Sequence, residues 1–586
     1  MRRSNPASPD RPPDRAPARP SLVALVLGAL AALLSTAPSR ADSALGDFAE
    51  PPVRTAYDGV TDDLLTAGLG LRGLLAPPPP PDAQRLASFA ERRRRAIHQN
   101  WRGLADLTAP MDDTRIAGIE ILGTVAASGT LPASGFLLQI PSGFDPERPC
   151  LLVTAASGSR GVYGALPTVG QWGLRRGCAV VTDDKALGMG VVDRTAGLGV
   201  AMDGAARPLA AGASAAFPHA LEMPHAHVRP PSEPLWGHLL LRAGEVALQM
   251  LSAEHPDAPA FTPERTLIIA AGISNGGGAV LQALEADRGR FFDGAVASEP
   301  NVLVAGAPTL FDYATLHALL QPCAILAEDL ATVPLGLAVT TGGARHRAWC
   351  GRLAADGLVA GDDTAAQADD ARRRLAATGI DPGALRLGAI NLQLDLWTAV
   401  TATYAQGYLR RSPADPACGI GFAALDPAGR PRALSDAERL ALFADGTGIA
   451  PTAGIQMLAD GDAARARSYE TARCLRDLAP DAETVARKAQ VSGRTGKRPV
   501  IVLHGRTDAL IPIAHTSRAY VMRATPHNPL LRFVEVARGQ HFDALLALPG
   551  VRPGHVAMQP AVDRALDDVR GYLASGAPLP PSTVLD

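Results

Sequence analysis

The stretch Leu267-Ile268-Ile269-Ala270-Ala271-Gly272-Ile273-Ser274-Asn275-Gly276-Gly277 constrains this chain more than any other. A short apolar run enters the pattern G-x-S-x-G and leaves it into Ala279-Val280-Leu281-Gln282-Ala283-Leu284, which reads as a helix. Buried strand, sharp turn, then helix is the arrangement of a nucleophile elbow. Glycines beside the serine let the backbone take a strained turn without a Cβ clash, which lifts the hydroxyl clear of the sheet. The serine then sits at a helix N-terminus, where free N–H groups and the helix dipole favour negative charge. An ordinary strand-to-helix turn is the plainer reading of G-x-S-x-G; the strand before it and the helix after it favour the elbow.

Partners for Ser274 are sought in the chain order serine, acid, histidine. Pro499-Val500-Ile501-Val502-Leu503 reads as a buried parallel strand ending in His504-Gly505-Arg506-Thr507-Asp508. Asp508, a few residues past the strand end, is the candidate acid; a helix N-cap aspartate would also suit its surroundings. The next strand is Leu531-Arg532-Phe533-Val534-Glu535-Val536, and Gly539-Gln540-His541-Phe542-Asp543 follows on a loop. His541 is the candidate general base, with a surface loop histidine as the alternative. A free serine is a poor nucleophile, so His541 would take its proton and Asp508 would fix the imidazole tautomer. The oxyanion would be met by the backbone N–H of Asn275 and by a second N–H from the loop Ser157-Gly158-Ser159-Arg160-Gly161, with Gly158 and Ser159 as candidates.

The 586 residues exceed one minimal unit and call for a core with a large insertion or a second domain. A net charge of −2 gives no basic surface suited to nucleic acid. The basic residues are almost all arginine, with lysine only at 185, 488 and 497. Arginines among prolines precede the apolar run Leu22 to Leu34, and Ser39-Arg40-Ala41 offers small residues for cleavage before Asp42. That is a signal-peptide pattern over 1–41, and the run is short for a span of roughly 20 residues. The protein is therefore expected to be exported, periplasmic or extracellular, without a membrane span after cleavage. Six cysteines suit an oxidising compartment and allow 15 connectivities. Pairing Cys150 with Cys178, Cys323 with Cys350 and Cys418 with Cys474 is one of them.

Along the chain, residues 42–115 form an N-terminal lead-in, with Pro77 to Pro81 extended and Leu86 to Leu107 helical. Strand patterns begin near Ile119 and recur at 135–140, 150–156, 179–183, 267–271 and 294–298, with a helix over 239–251. Strands alternating with helices predict an α/β fold: a doubly wound, mostly parallel sheet of α/β-hydrolase type. Residues 116–302 and 498–586 would be its two parts. Between them, 303–497 has helical periodicity, as at 369–377 and 436–443, and reads as a mainly helical lid over the strand ends; a decorative insertion or an oligomer interface is the alternative. His219, His225 and His227 read as loop histidines near the cleft, and no metal is expected there.

The Gly272-to-Gly278 elbow, the His225-Ala226-His227 loop, the Thr182-Asp183-Asp184-Lys185 strand end, the long insertion and the export signal together resemble the D-(−)-3-hydroxybutyrate oligomer hydrolases. The resemblance implies cleavage of ester bonds in dimers and short oligomers of (R)-3-hydroxybutyrate, in the breakdown of polyhydroxybutyrate. It implies Ser274 as nucleophile, with Asp508 and His541 by position in the fold. No cofactor or metal is implied, and the partner is a small ester oligomer; the oligomeric state is left open. Such an oligomer ends in a carboxylate, with which Arg160 or Arg506 can pair unless they are structural or solvated. Feruloyl esterases and tannases resemble the chain in fold and lid, but usually carry cysteines where Ile273 and Phe542 stand here. A prolyl-oligopeptidase would bring a propeller repeat, and none is visible. A non-catalytic binding protein on this fold is the remaining alternative.

Overall fold

A ten-stranded sheet organises the computed structural model, which describes residues 48–209, 216–228, 231–328, 343–449 and 454–586. The segment read as an export signal, 1–41, lies outside the described residues. The strands are β1 Val53–Tyr57, β2 Gly118–Val125, β3 Ser134–Pro141, β4 Cys150–Ala155, β5 Ala179–Asp183, β6 Leu267–Ile273, β7 Gly294–Ser298, β8 Val500–Gly505, β9 Leu531–Val536 and β10 Thr583–Leu585. Their spatial order is β1-β2-β3-β5-β4-β6-β7-β8-β9-β10. From β5 to β10 every neighbour is parallel. β1, β2 and β3 join antiparallel at the other end. This is the mostly parallel α/β sheet that the sequence pattern predicts.

Every residue of β4, β7 and β8 is buried, which is why these strands read as unbroken apolar runs. Alternate side chains still go to opposite faces. Leu151, Val153, Ile268, Ala270, Val500 and Val502 enter one core, and Leu152, Ile269, Ala271, Ile501 and Leu503 enter the other. Four helices supply most of the covering. α1 Phe89–Leu104 and α4 Gln559–Ser575 pack on the second core, and α2 Trp236–Glu254 and α3 Asn275–Ala286 on the first.

The lead-in is built into this unit. β1 pairs along β2, and Arg93 of α1 lies fully buried against Glu120 of β2, with Nε–Oε2 at 2.7 Å and Nη2–Oε1 at 2.8 Å. Gln139 of β3 donates to the same carboxylate at 2.8 Å, and the guanidinium stacks over Tyr57 of β1. The sequence pattern passes over β1 and β10 because both are edges with little burial.

Between β7 and β8 the insertion is mostly helical, and it also carries an antiparallel sheet of Ile420–Leu425, Pro431–Arg432 and Ile455–Ala459. Its central helix, Leu310–Ala324, is buried on nearly every side. Disulfides Cys323–Cys350 and Cys418–Cys474 brace the insertion, and Cys150–Cys178 ties β4 to the start of β5. No helix among the described residues is long and apolar enough to cross a membrane.

Replacing Arg93 by Met would remove the buried guanidinium that pairs with Glu120, at a cost of about 3–5 kcal/mol. Denaturant unfolding should show that loss. An unchanged midpoint would mean the pair does not anchor the lead-in.

Candidate active site

Ser274 sits between β6 and α3 at φ 58° and ψ −124°, a conformation a non-glycine residue holds only under constraint. The constraint is packing. A Cβ on Gly276 would lie 2.4 Å from the Ala155 carbonyl oxygen, and one on Gly278 would lie 2.0 Å from that of Asn301. The glycines thus let α3 approach the neighbouring strand ends. The Ser274 N–H donates to Ser298 O at 3.0 Å, and its carbonyl accepts from Asn301 and Gly278, each at 3.0 Å.

The three residues chosen from chain order meet. His541 Nε2 is 3.0 Å from Ser274 Oγ, and His541 Nδ1 is 2.6 Å from Asp508 Oδ2. Asp508 only accepts, so Nδ1 carries the proton and Nε2 is left to receive the serine's. The other oxygen, Oδ1, accepts the N–H groups of Leu510 and Ile511 at 2.8 Å each, an Asx turn. Asp508 therefore does cap local backbone, with the oxygen that His541 does not use.

A residue to which the sequence reading gave no role completes this group. His504, wholly buried at the end of β8, places Nε2 3.2 Å from Asp508 Oδ2 and 2.8 Å from Ile511 O. Both neighbours accept, so Nε2 carries the proton, and Nδ1 accepts from the Ser517 hydroxyl at 2.6 Å. Burial alone would raise the Asp508 carboxyl; the two histidines outweigh it and hold it well below the usual carboxylate range. The sequence held one signal: a histidine inside an otherwise apolar central strand needs a buried partner.

Glu299, just past β7, is also wholly buried, at φ 39°. The Ser298 hydroxyl donates to Oε2 at 2.6 Å. Burial raises this carboxyl well above its ordinary value against that bond, and the charge of Asp508 adds to the rise.

The candidate oxyanion donors divide. Asn275 opens α3, so its N–H has no intrahelical acceptor, and its side-chain oxygen accepts from Asn301 at 3.0 Å. Gly158 lines the cavity at φ 55°. The Ser159 N–H, by contrast, is committed to Gly448 O of the insertion at 2.9 Å, which corrects its choice as a donor. Its hydroxyl meets His225 Nδ1 at 3.1 Å. Burial pushes His225 down to about 3, and the Lys185 charge adds to this, so the ring is neutral. Lys185, wholly buried, donates to Ala156 O just ahead of the same loop. Burial pushes its ammonium down to about 7 against the pull of Asp183 and Asp184. The Asp-Asp-Lys strand end and the His225 loop thus buttress the candidate oxyanion loop. His227 accepts from the Met223 N–H at 2.9 Å, and His219 is half-buried; neither lines the cavity.

The two arginines also divide. Arg160 lines the cavity, with Nε donating to Gly446 O at 2.9 Å. Arg506 does not: Glu535 on β9 holds it through Oε2 at 3.1 and 3.2 Å, so it is a structural arginine, contrary to the substrate-binding expectation. The carboxylate on the adjacent strand captures the guanidinium before it can turn to the cavity.

The cavity over Ser274 is about 200 Å³. One wall comes from the sheet loops, including Ala509, Ile511 and Phe542; the other comes from the insertion, including Leu310, Leu387, Ile390, Val400 and Tyr404. Such an arrangement can activate a serine hydroxyl, hold a developing oxyanion and exclude water from an apolar acyl group.

Parallel sheet, elbow and the Ser274–His541–Asp508 row place the chain in the α/β-hydrolase class. More narrowly, it belongs to the 3HB-oligomer hydrolase family, whose model matches residues 30–586. A protein of Burkholderia pseudomallei (strain 668) named D-(−)-3-hydroxybutyrate oligomer hydrolase is 36% identical over 631 aligned positions, covering 93% of this chain and 89% of the relative. One of Burkholderia mallei (strain ATCC 23344) with the same name shows the same identity and coverage. Among solved structures, the chain is similar to a rice cell wall degrading esterase, LipA from Xanthomonas oryzae (11% identity, TM-score 0.36, 78% of this chain and 90% of that one). It is likewise similar to feruloyl esterase B from Aspergillus oryzae (12%, TM-score 0.36, 81% and 84%). The fold assignment rests on strand order and elbow rather than on these distant likenesses.

A histidine with a lowered folded pKa takes up its proton more readily when unfolded. Stability is therefore lost as pH falls from about 6.5 towards the folded value. For His225 the loss should reach about 3 kcal/mol at pH 4. Unfolding free energies of wild type and His225→Gln between pH 7 and pH 4 should diverge by that amount, with the variant less pH-sensitive. Parallel curves would contradict a neutral buried His225.

Proposed function

We propose that this protein is a serine carboxylic-ester hydrolase that cleaves (R)-3-hydroxybutyrate dimers and short oligomers to monomers, as a step in polyhydroxybutyrate degradation. The observation that carries the reading is the Ser274–His541–Asp508 row, at 3.0 and 2.6 Å, in a chain of the 3HB-oligomer hydrolase family. Ser274 Oγ attacks the ester carbonyl while His541 Nε2 takes its proton. The oxyanion forms against the N–H groups of Asn275 and Gly158. Collapse breaks the ester C–O bond, and His541 returns the proton to the leaving hydroxyl, giving a free alcohol and a hydroxybutyryl-Ser274 ester. Water, deprotonated by His541, then releases the acid and restores the serine. Asp508, held by His504 and two backbone N–H groups, stabilises the imidazolium in both halves.

The cavity supports a short, apolar acyl chain. Its volume of about 200 Å³ falls below the roughly 300–1,000 Å³ usual for drug-sized ligands. All six cysteines are paired in disulfides, away from the serine and the histidine, which sets the chain apart from the cysteine-flanked feruloyl esterase pattern. The disulfides also support a working place outside the cytoplasm, as the N-terminal export pattern suggests.

The purified protein should release monomer from the (R)-3-hydroxybutyrate dimer. Ser274→Ala and Asp508→Asn should each lower kcat by about 10⁴-fold or more. Dimer left untouched while p-nitrophenyl butyrate is cleaved through Ser274 would keep the esterase and discard the substrate.

A further inference from the structure

Arg160 is the only arginine or lysine among the described residues that line the cavity, and no aspartate or glutamate lines it. The residue is 4% exposed. Its Nε is satisfied by Gly446 O, while Nη1 has only distant contacts with Ser157, 3.4 Å to the carbonyl and 3.5 Å to the hydroxyl. No carboxylate among the described residues lies within ion-pair reach. Asp445 acts on it only from beyond ion-pair distance, so the buried guanidinium has no bonded carboxylate and can take an anion brought by the ligand.

The guanidinium lies 4.7 Å from the ring centre of Phe542, the residue after His541. His541 hands its proton to the leaving oxygen, so this is the leaving-group side of the site. In a hydroxybutyrate oligomer, one methine and one methylene separate the ester oxygen of the terminal unit from its free carboxylate. That distance is short enough for one residue's reach. Resting on the hydrolase reading above, we propose that Arg160 binds the terminal carboxylate of the oligomer. The enzyme then cuts the ester nearest the carboxyl end and releases one monomer per cycle.

The reaction balances as ordinary hydrolysis. One water is consumed, the ester C–O bond breaks, the terminal unit leaves as 3-hydroxybutyrate, and the shortened chain gains a carboxylate. That new carboxylate is the next group Arg160 would hold, so the same geometry serves every round down to the dimer. Burial pushes Arg160 down to about 10, opposed by Asp445, and it stays charged at neutral pH. The remaining lining suits the acyl part: Leu310, Leu396, Val400 and Ile449 offer no charge to compete.

The test compares kcat/KM, read as cleavage of the internal ester, for the (R)-3-hydroxybutyrate dimer as free acid and as methyl ester, which lacks that charge. Wild type should prefer the free acid by about tenfold or more, mainly through KM. In Arg160→Met the ratio should collapse to near one, and Arg160→Lys should restore part of it. Equal use of acid and ester by the wild type would overturn the proposal without any variant. A preference that survives in Arg160→Met would overturn it too, since both substrates would then be losing only a structural support. If neither dimer form is cleaved while p-nitrophenyl butyrate is, the substrate reading fails and the proposal falls with it.

Discussion

The carboxylate of Asp508 is the point on which the site turns. One oxygen takes two backbone N–H groups and shapes the loop after β8; the other takes His541 and His504. A wholly buried carboxylate is stable as an anion only with such a full set of donors. The same anion fixes which nitrogen of His541 faces Ser274. Glu299 is its counterpart: burial, with the charge of Asp508 adding to it, holds this second carboxyl well above its ordinary value. The sheet supplies the rest, because β6, β7 and β8 are parallel neighbours whose ends deliver Ser274, Glu299 and Asp508 side by side.

The insertion walls this machinery on one side. It contributes the apolar wall, and Gly448 takes the N–H of Ser159, tying the candidate oxyanion loop to the insertion. Lys185 bonded to Ala156 O and His225 bonded to Ser159 hold that loop as well. The loop is therefore fixed by groups from three separate stretches of chain, and its preorganisation is what an oxyanion site requires.

Much of this was legible in the sequence because the local signals were strong. The elbow announced itself by glycines on both sides of a serine between a strand and a helix. Asp508 and His541 followed from chain order and strand ends. Edge strands β1 and β10 were not legible, since a half-exposed strand lacks the apolar run that marks a buried one. His504 was not legible as a partner of Asp508, because its role depends on side-chain contact across a loop. Arg160 and Arg506 looked equivalent in sequence; only the adjacent-strand Glu535 separates a structural arginine from one that faces the cavity. Ser159 likewise looked like an oxyanion donor until the insertion, far along the chain, was seen to take its N–H.

The proposed chemistry depends on one activated nucleophile, the serine set in a strained turn. An irreversible fluorophosphonate, which mimics the tetrahedral oxyanion, tests it directly when followed by peptide mass spectrometry. One label per chain is expected, on Ser274, lost in His541→Ala and slowed by the hydroxybutyrate dimer. A label on another residue, or full esterase activity in protein already labelled at Ser274, would contradict it.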